Sequence, residues 1–343
     1  MNTKIYTMSE TAPDMKMLAE CADIIKKSGL VAFPTETVYG LGANALDDNA
    51  CKKIYEAKGR PSDNPLILHL YEPEEAEKYA YTCPLYYKLA MAFMPGPLTV
   101  ILPKKPCVPK EVTGGLETVA LRVPSHRVAR ALLRETGLPI AAPSANTSGR
   151  PSPTLVKYVI EDLDGKVDMI LDGGPCDIGL ESTIVLLEGN SMKLLRPGGI
   201  TPEMLAPLCD GLYFDPCLDR PMKEGEHPLA PGMKYRHYAP KAQVVMLEGE
   251  EGPVLDFLRS VKDQEGVGIL CKEDRMSELE GKYTFSLGSE LGEEARLLFS
   301  RLRAFDELPE VRTIYAPVPR REGIGLAVYN RLAKAAGFTV KKL

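Results

Sequence analysis

The sequence lacks any long hydrophobic run. Of its 343 residues, 44% are hydrophobic and 26% are charged, and no apolar stretch approaches the roughly 18 residues that span a bilayer. The first residues, MNTKIYTMSETAPDMK, contain no apolar core after a basic start, so no signal peptide is indicated. We therefore expect a cytoplasmic protein with no membrane partner.

Patterns typical of metal or disulfide sites are also missing. The chain has four histidines and eight cysteines, and no two cysteines form a C-x-x-C pair. Neither a disulfide framework nor a zinc site is indicated, and we expect most cysteines to be small buried residues. The net charge of −5 argues against a broad basic face for nucleic acid, although a local basic pocket is still allowed.

Several catalytic signatures do not occur either: there is no Walker A motif, no metal-ligand spacing and no Gly-x-Ser-x-Gly elbow. Two glycine-rich stretches resemble a dinucleotide fingerprint only loosely. GLGANA at 40–45 follows a loop, and we predict a Gly-x-Gly turn there. GIGLAV at 323–328 lacks the third glycine and is predicted to begin a helix, so we reject the fingerprint at both positions.

The length predicts two domains, because single cores stop growing at roughly 250–300 residues. In residues 1–208, strands lie close together with few helices between some of them, which predicts an α/β fold with a mixed, twisted sheet. Residues 209–241 are rich in proline and glycine and predict an interdomain linker. In residues 242–343, strands alternate with helices, as in a smaller doubly wound, Rossmann-like parallel α/β domain.

Two cations, Lys58 and Arg60, stand at the predicted end of a helix. Such a pair could simply complement the helix dipole. However, Pro61 and the turn at Asn64-Pro65 fix the backbone beyond it, so we predict a shaped loop instead of a solvated helix face. A lysine point charge and an arginine fork together suit the oxygens of a triphosphate.

A second polar segment, APSANTSGRPSPT at 142–154, follows an apolar strand. A surface loop rich in serine and proline would look similar, but ligands usually bind beyond strand ends in α/β sheets. Arg122 lies in the apolar strand TVALRVP, where a buried arginine needs an anion. His69, in PLILHLY, is by itself typical of a satisfied core or edge histidine.

The motifs together resemble the threonylcarbamoyl-AMP synthases of the YrdC-like family, in their longer two-domain form. The resemblance runs in order through FPTETVYGLGANA, the K-x-R of EAKGRPSDNPLILH, ALRVP, APSANTSGRPSPT, GLESTIV, RPGGI and PGMKYRHYAP. It implies an enzyme that condenses L-threonine, bicarbonate and ATP to threonylcarbamoyl-AMP and pyrophosphate. Downstream transferase proteins would then pass the threonylcarbamoyl group to an adenosine beside the tRNA anticodon.

The resemblance also implies roles for single residues. Lys58 and Arg60 would be catalytic, with Mg²⁺ held mainly by ATP and no metal ligand from the protein. The implied ATP-binding set is Lys58, Arg60, Asn64, Thr118, Ser144, Asn146, Ser152, Arg196, Tyr235 and Arg236. The implied L-threonine-binding set is Thr37, His69, Arg122 and Ser182. Ala142 stands where some members have a threonine, so a side-chain contact there is absent or replaced by backbone. The segment 230–240 is predicted to fold over the loaded pocket; the alternative is that it only docks on the first domain.

Two other functions compete with this interpretation. A double-stranded RNA or tRNA binding module is disfavoured by the acidic net charge and by the lack of aromatic residues among the basic ones. We therefore expect tRNA to be contacted only indirectly or weakly. A carbamoyl-adenylate step of hydrogenase maturation would need zinc-finger and acylphosphatase segments, which this sequence lacks.

Overall fold

The structure, a computed structural model, describes residues 2–223, 226, 228–233 and 237–343. Within these residues the chain builds two β-sheets, each flanked by helices. No helix of the described part is long and apolar enough to cross a membrane. Five of the eight cysteines are buried, as predicted.

The first sheet is large and mixed in direction, with eleven strands among the described residues. They are β1 (Lys4–Thr7), β2 (Val31–Phe33), β3 (Gly40–Asn44), β4 (Ile67–His69), β5 (Leu98–Pro103), β6 (Thr118–Arg122), β7 (Ile140–Ala142), β8 (Met169–Asp172), β9 (Thr183–Glu188), β10 (Ser191–Arg196) and β11 (Gly211–Phe214). Their order is β1-β8-β2-β3-β7-β4-β6-β5-β9-β10-β11. At the centre, β4 runs parallel to β6 and antiparallel to β7.

Helices cover the large sheet. The α-helices are α1 (Met15–Lys26), α2 (Asp48–Lys58), α3 (Pro84–Phe93), α4 (Lys110–Thr113), α5 (Arg127–Thr136), α6 (Val156–Leu163) and α7 (Pro202–Leu205), with 3₁₀ turns at Pro73–Lys78, Ala206–Leu208 and Pro216–Leu218. One apolar cluster joins α2 and α3 to the sheet, and another joins α1 and α5 to β2 and β8. The predicted mixed sheet is confirmed.

Two features of the large sheet differ from the sequence-based description. Gly40–Asn44 is strand β3, paired with β2 and β7, so the predicted Gly-x-Gly turn is wrong. Gly42 packs closely in the sheet: a Cβ there would lie 2.7 Å from Phe33 Cε1 and 2.8 Å from Ile140 Cγ2. The other difference is β11, which pairs in parallel with β10 and extends the sheet into the segment predicted as linker.

The second sheet is parallel and smaller. Its strands are β12 (Gln243–Glu248), β13 (Val267–Cys271), β14 (Thr284–Ser286), β15 (Thr313–Pro317) and β16 (Val340–Lys342), in the order β14-β13-β15-β12-β16. The α-helices are α8 (Glu251–Val261), α9 (Met276–Leu279), α10 (Leu291–Asp306) and α11 (Gly325–Ala335), with a 3₁₀ turn at Glu273–Arg275. Helix α11 begins within the GIGLAV stretch, as predicted. Parallel strands with helices on both faces confirm the Rossmann-like prediction.

Candidate active site

A cavity lies on one face of the central strands of the large sheet. Ile67 and His69 of β4 face it together, because residues two apart on a strand point to the same side. Arg122, at the end of β6, pairs in register with His69 and lines the same cavity. Ala142 lines it from the end of β7. Leu68, between the two β4 residues, packs into the core on the opposite face.

Lys58 is positioned by the end of α2. Asp47 caps the start of this helix by accepting hydrogen bonds from two backbone N–H groups, and Gly59 ends it in the left-handed conformation with φ of 59°. The Lys58 side chain is buried, and its ammonium donates to the backbone oxygens of Ser144 and Asn146 at 2.5 Å each. Burial, reinforced by the charge of Arg60, lowers the Lys58 pKa well below its ordinary value. Lys58 therefore holds the loop after β7 against α2.

Arg60 lines the cavity itself. Its Nη2 donates to the backbone oxygens of Asn64 and Pro65, at 3.1 and 2.9 Å. The Asn64 side chain is buried, and its amide makes no hydrogen bond to the described residues. Buried amides without partners are rare and point to a missing ligand or water. The loop predicted from the prolines thus places a cation and an unused amide next to each other.

The loop after β7 is held together by its own polar side chains. Ser144, which lines the cavity, donates to Asn146 Oδ1 at 2.5 Å. The Asn146 amide donates to the backbone oxygens of Thr147 and Arg150. Ser152 is buried and donates to Glu181 Oε1 at 2.5 Å. Ser144 and Asn146 are therefore ordered around the Lys58 ammonium, whereas Ser152 is held by Glu181.

The anion that Arg122 needs is supplied by Glu36. The two side chains are buried and form an ion pair of 2.9 Å. Burial favours the neutral form of Glu36, but Arg122 outweighs it, and the Glu36 pKa lies below its ordinary value. Arg122 also donates to Thr37 Oγ1 at 2.9 Å, whereas its Nε has no hydrogen-bond partner among the described residues. The guanidinium thus keeps donor capacity beside the cavity.

His69 is a neutral imidazole in this site. Burial, with the charge of Arg122 adding to it, lowers the His69 pKa to about 3. Nδ1 lies 3.1 Å from the backbone oxygen of Ile67, and the ring packs edge-to-face against Phe33. A neutral ring can donate one hydrogen bond and accept another.

Arg196, at the end of β10, lines the cavity, and Ser182 lies behind it as its hydrogen-bond partner. Arg196 Nε donates to the backbone oxygen of Ser182 at 2.9 Å, and its Nη2 donates to Ser182 Oγ at 3.0 Å. Ser182 Oγ also lies 2.7 Å from Thr99 Oγ1. Burial lowers the Arg196 pKa to about 10, so the guanidinium remains charged at neutral pH.

The region of the small sheet contributes to the site by holding Glu181, which lies just before β9 of the large sheet. This carboxylate lines the cavity, and its Oε2 accepts a hydrogen bond of 2.8 Å from Nε of the fully buried Arg331 on α11. Burial disfavours its charged form, but Arg331 and Arg196 outweigh it and keep the Glu181 pKa below its ordinary value. The C-terminal region therefore fixes one acidic group of the cavity.

The segment after β11 covers the cavity. Pro231, Gly232, His237 and Tyr238 line it. Lys334 of α11 donates to the Gly232 oxygen at 2.7 Å, and Tyr238 stacks on Phe299 of α10 with ring centroids 5.1 Å apart. With these residues in place, the cavity measures about 50 Å³.

Ligand pockets usually measure about 300–1,000 Å³, so the cavity as it stands is too small for a nucleotide. Tyr235 and Arg236, predicted to bind ATP, lie outside the described residues.

Not every predicted residue meets at the cavity. Thr118 begins β6, at the opposite end from Arg122, and four residue steps of a strand span about 13 Å. Its contact with ATP stays a prediction. Conversely, Glu36, Glu181 and Arg331 have no role in the sequence-based predictions. The first two stand inside motifs, but nothing in the local pattern connects Arg331 with a site about 150 residues earlier.

Among the described residues, three arginines and one carboxylate line the cavity, so the site suits an anionic ligand. No cluster of three or more histidine, cysteine or acidic side chains that could hold a metal occurs in the described part of the chain. The Ser144 hydroxyl, which lines the cavity, donates to an amide oxygen and not to a general base. The lining arginines can position an anionic substrate and stabilise negative charge.

Two family models match the chain. Sua5_yciO_yrdC, described as "Telomere recombination", matches residues 23–198. A model described as "Threonylcarbamoyl-AMP synthase, C-terminal domain" matches residues 200–337.

Relatives match over nearly the whole chain. The threonylcarbamoyl-AMP synthase of Bacillus subtilis is 46% identical over 347 residues, which covers 98% of this chain and 99% of that protein. The synthase of Pyrococcus abyssi is 46% identical over 328 residues and covers 94% of each chain. Among solved structures, P. abyssi Sua5 complexed with L-threonine has a TM-score of 0.92 and 43% identity, and the match covers 99% of this chain and 100% of that one.

Proposed function

The chain belongs to the Sua5/YciO/YrdC family, as its motifs indicated, and from this membership we propose that it is an L-threonylcarbamoyladenylate synthase. The reaction joins L-threonine, bicarbonate and ATP to give threonylcarbamoyl-AMP and pyrophosphate. The observation that carries the proposal is the likeness, over 99% of this chain, to a Sua5 that was crystallised with L-threonine. The arginine-lined cavity supplies the charge that such a reaction needs.

The substrates provide the reacting groups. Threonine's amine takes up carbon dioxide as a carbamate, and a carbamate oxygen attacks the α-phosphorus of ATP. The bond to the β-phosphate breaks and pyrophosphate leaves with the electron pair. No protein nucleophile is needed, so the protein accelerates the step by holding both substrates in line and by stabilising negative charge.

We assign the phosphates to the cations around the loop after β7. Arg60 and Arg196 line the cavity, and Lys58 lies directly behind Ser144. Lys58 and Arg60 would stabilise the departing pyrophosphate. Asn64, Thr118, Ser144, Asn146 and Ser152 would surround the rest of the nucleotide. Magnesium enters with ATP as the substrate complex, held mainly by the phosphates.

Threonine is assigned to the end of β6. The free donor capacity of Arg122 suits the amino-acid carboxylate. Thr37 and Ser182, with the neutral His69, offer hydrogen bonds to the threonine hydroxyl or to the carbamate. The adenylate product is reactive towards water, so a covering segment protects it. We propose that residues 209–241 form this lid and that Tyr235 and Arg236 in it contact ATP. The lid would connect a catalytic domain at 1–208 to a C-terminal domain at 242–343.

The product is a mixed anhydride, and its chemistry requires an acceptor reaction. We propose that downstream transferase proteins pass the threonylcarbamoyl group to a tRNA adenosine, in the cytoplasm where tRNA and ATP meet. The tRNA itself contacts this chain only indirectly or weakly.

The test uses the full chain with ATP, labelled bicarbonate and one amino acid at a time, while pyrophosphate release is followed. We expect release with L-threonine and only background with L-valine, which has nearly the same shape but a methyl group in place of the hydroxyl. Omitting bicarbonate should also abolish release. Pyrophosphate formation that is independent of threonine or bicarbonate would contradict the proposal.

A further inference from the structure

A second cavity lies in the C-terminal region and shares no lining residue with the first. It measures about 640 Å³, within the range of about 300–1,000 Å³ that is common for small-molecule sites. It opens beyond the carboxyl ends of three parallel strands: Gly249 follows β12, Lys272 follows β13 and Val318 follows β15. The synthase reaction proposed above makes no use of it.

The topology of the small sheet places this cavity where ligands usually bind. From β12 the chain passes over β15 to reach β13, whereas from β15 it passes over β12 to reach β16. The two connections therefore leave neighbouring strands in opposite directions, and right-handed crossovers put their helices on opposite faces. The apolar clusters agree, since α8 packs with Leu247 and Ile269 on one face and α11 packs with Val244 and Ile314 on the other. Such a switch point forms a crevice at the carboxyl edge of the sheet.

Glu294, in the first turn of α10, lines the cavity although it is only 3% exposed. Its Oε1 accepts no hydrogen bond within the described part of the chain. The nearest recorded cation is Lys272, whose Nζ lies 3.5 Å from that oxygen. Burial raises the Glu294 pKa, against the weaker effects of Lys272 and Arg320. A buried carboxylate whose partner lysine stands as far as 3.5 Å away is incompletely stabilised, so a closer hydrogen-bond donor on a ligand would be favoured here.

The rest of the lining divides into an apolar floor and a charged rim of both signs, with Lys272, Arg275 and Arg320 beside Glu248, Glu251 and Asp274. The floor includes Leu258, Leu270 and Leu279, all buried. At the rim, the Arg320 side chain is 73% exposed, and its ion pair within the described residues is with Glu322, at 3.8 Å. A ligand that complements all three parts has an apolar planar body, an N–H edge and an anionic group.

We propose that this cavity binds a purine nucleoside monophosphate, with the ring over the leucine floor, an N–H of the base on Glu294 and the phosphate near Arg320. Both purines offer such a donor: guanine through N1–H and its 2-amino group, adenine through its 6-amino group. The bicyclic base fits the cavity size better than a free amino acid or phosphate, which would leave most of the floor uncovered.

The test is equilibrium dialysis of the full chain with labelled GMP, AMP and UMP. We expect GMP or AMP to bind, and UMP to bind much more weakly. Comparison of the GMP and AMP affinities identifies which purine base the cavity prefers. Glu294→Gln and Arg320→Ala should each weaken this binding about tenfold or more. Arg312→Ala, an exposed arginine at the opposite end of β15, should leave it unchanged. Hydrogen exchange should slow at residues 271–275 and 317–320.

Other outcomes would overturn the inference. The inference fails if neither purine nucleotide binds, or if UMP binds as tightly as they do. It also fails if neither Glu294→Gln nor Arg320→Ala changes the affinity, because the nucleotide would then be bound in the first cavity. Because Arg320 is exposed, its variant keeps the test decisive even if Glu294→Gln fails to fold. Pyrophosphate release is measured separately, so failure here is distinguishable from failure of the proposed reaction.

Discussion

The two cations of the K-x-R motif have different tasks at the first cavity, although the sequence suggested one shared task. Lys58 and Arg60 are both cations of the K-x-R motif, yet only Arg60 lines the cavity. The Lys58 ammonium is already engaged by backbone oxygens of the loop after β7. Arg60 is thus placed to meet phosphate directly, whereas Lys58 also holds the loop that shapes the site.

Removal of either cation should therefore have different consequences. We expect Arg60→Ala to slow pyrophosphate release about a hundredfold, equivalent to about 3 kcal/mol, and to lower the melting temperature less than Lys58→Ala does, because the hydrogen bonds of Arg60 to the Asn64–Pro65 turn are only part-buried. Lys58→Ala should lose similar activity and also stability, because the Ser144 and Asn146 carbonyl groups lose their donor. The matched control is Lys52→Ala, an exposed lysine on the same helix. Near-normal turnover in Arg60→Ala would show that Arg60 of the K-x-R motif does not take part in the reaction.

Arg122 gives a second prediction. Arg122→Lys keeps a cation beside Glu36 but loses the planar fork. We expect the KM for threonine to rise about tenfold or more, while the Kd for ATP stays nearly unchanged. Arg122→Leu is less informative, since it leaves Glu36 buried without its cation at a cost of about 3–5 kcal/mol.

Pyrophosphate-release kinetics and calorimetry with ATP separate the two affinities. Arg130→Lys serves as the control, because Arg130 is ion-paired to Glu72 and does not line the cavity. If ATP binding collapsed while threonine binding stayed normal, the two subsites would be assigned the wrong way round.

At the scale of secondary-structure elements, the sequence predicts best where a local rule governs the chain. Helix α2 begins after Asp47 and ends at Gly59, as its capping residues predict. Strand β3 was missed, because two glycines and a preceding polar run are typical of a turn. Those glycines serve close packing instead, since a Cβ at Gly42 would meet Phe33 and Ile140. This tertiary cause is invisible in a local pattern.

The covering segment is the element whose movement can be tested. Its described part is held by the Lys334 contact to Gly232 and by the stacking of Tyr238 on Phe299. In the proposed role as a lid, it would open to admit ATP and close again over the bound substrates. We therefore expect ATP plus threonine to slow backbone hydrogen exchange in 230–240 relative to either ligand alone. Strand β12, which does not line the first cavity, is the internal control. If hydrogen exchange in 230–240 did not change with either ligand, the segment would be a passive connector between the two regions.

At the scale of the whole molecule, buried ion pairs join the two regions. Asp162 of α6 and Arg303 of α10 are both fully buried, with hydrogen bonds of 3.0 and 2.6 Å. Glu181 and Arg331 form a similar link. Two folded regions were predicted from the sequence, but the ion pairs between them were not. The partners of these pairs are 141 and 150 residues apart in the chain, and such contacts leave no periodic or spacing signal. For the same reason the contribution of the C-terminal region to the cavity was not predicted.

The Asp162–Arg303 pair predicts how the molecule unfolds. Arg303→Met leaves Asp162 buried with Arg150 as its remaining arginine partner, so we expect a loss of about 3 kcal/mol and weaker coupling between the regions. In differential scanning calorimetry, the wild-type chain should unfold in one transition and the variant in two. Adding Asp162→Asn removes the buried charge and should recover part of the stability but not the coupling. Arg301→Met, on the same helix but bonded within the C-terminal region, should keep the single transition. Two transitions in the wild-type chain would mean that these ion pairs do not make the regions cooperative.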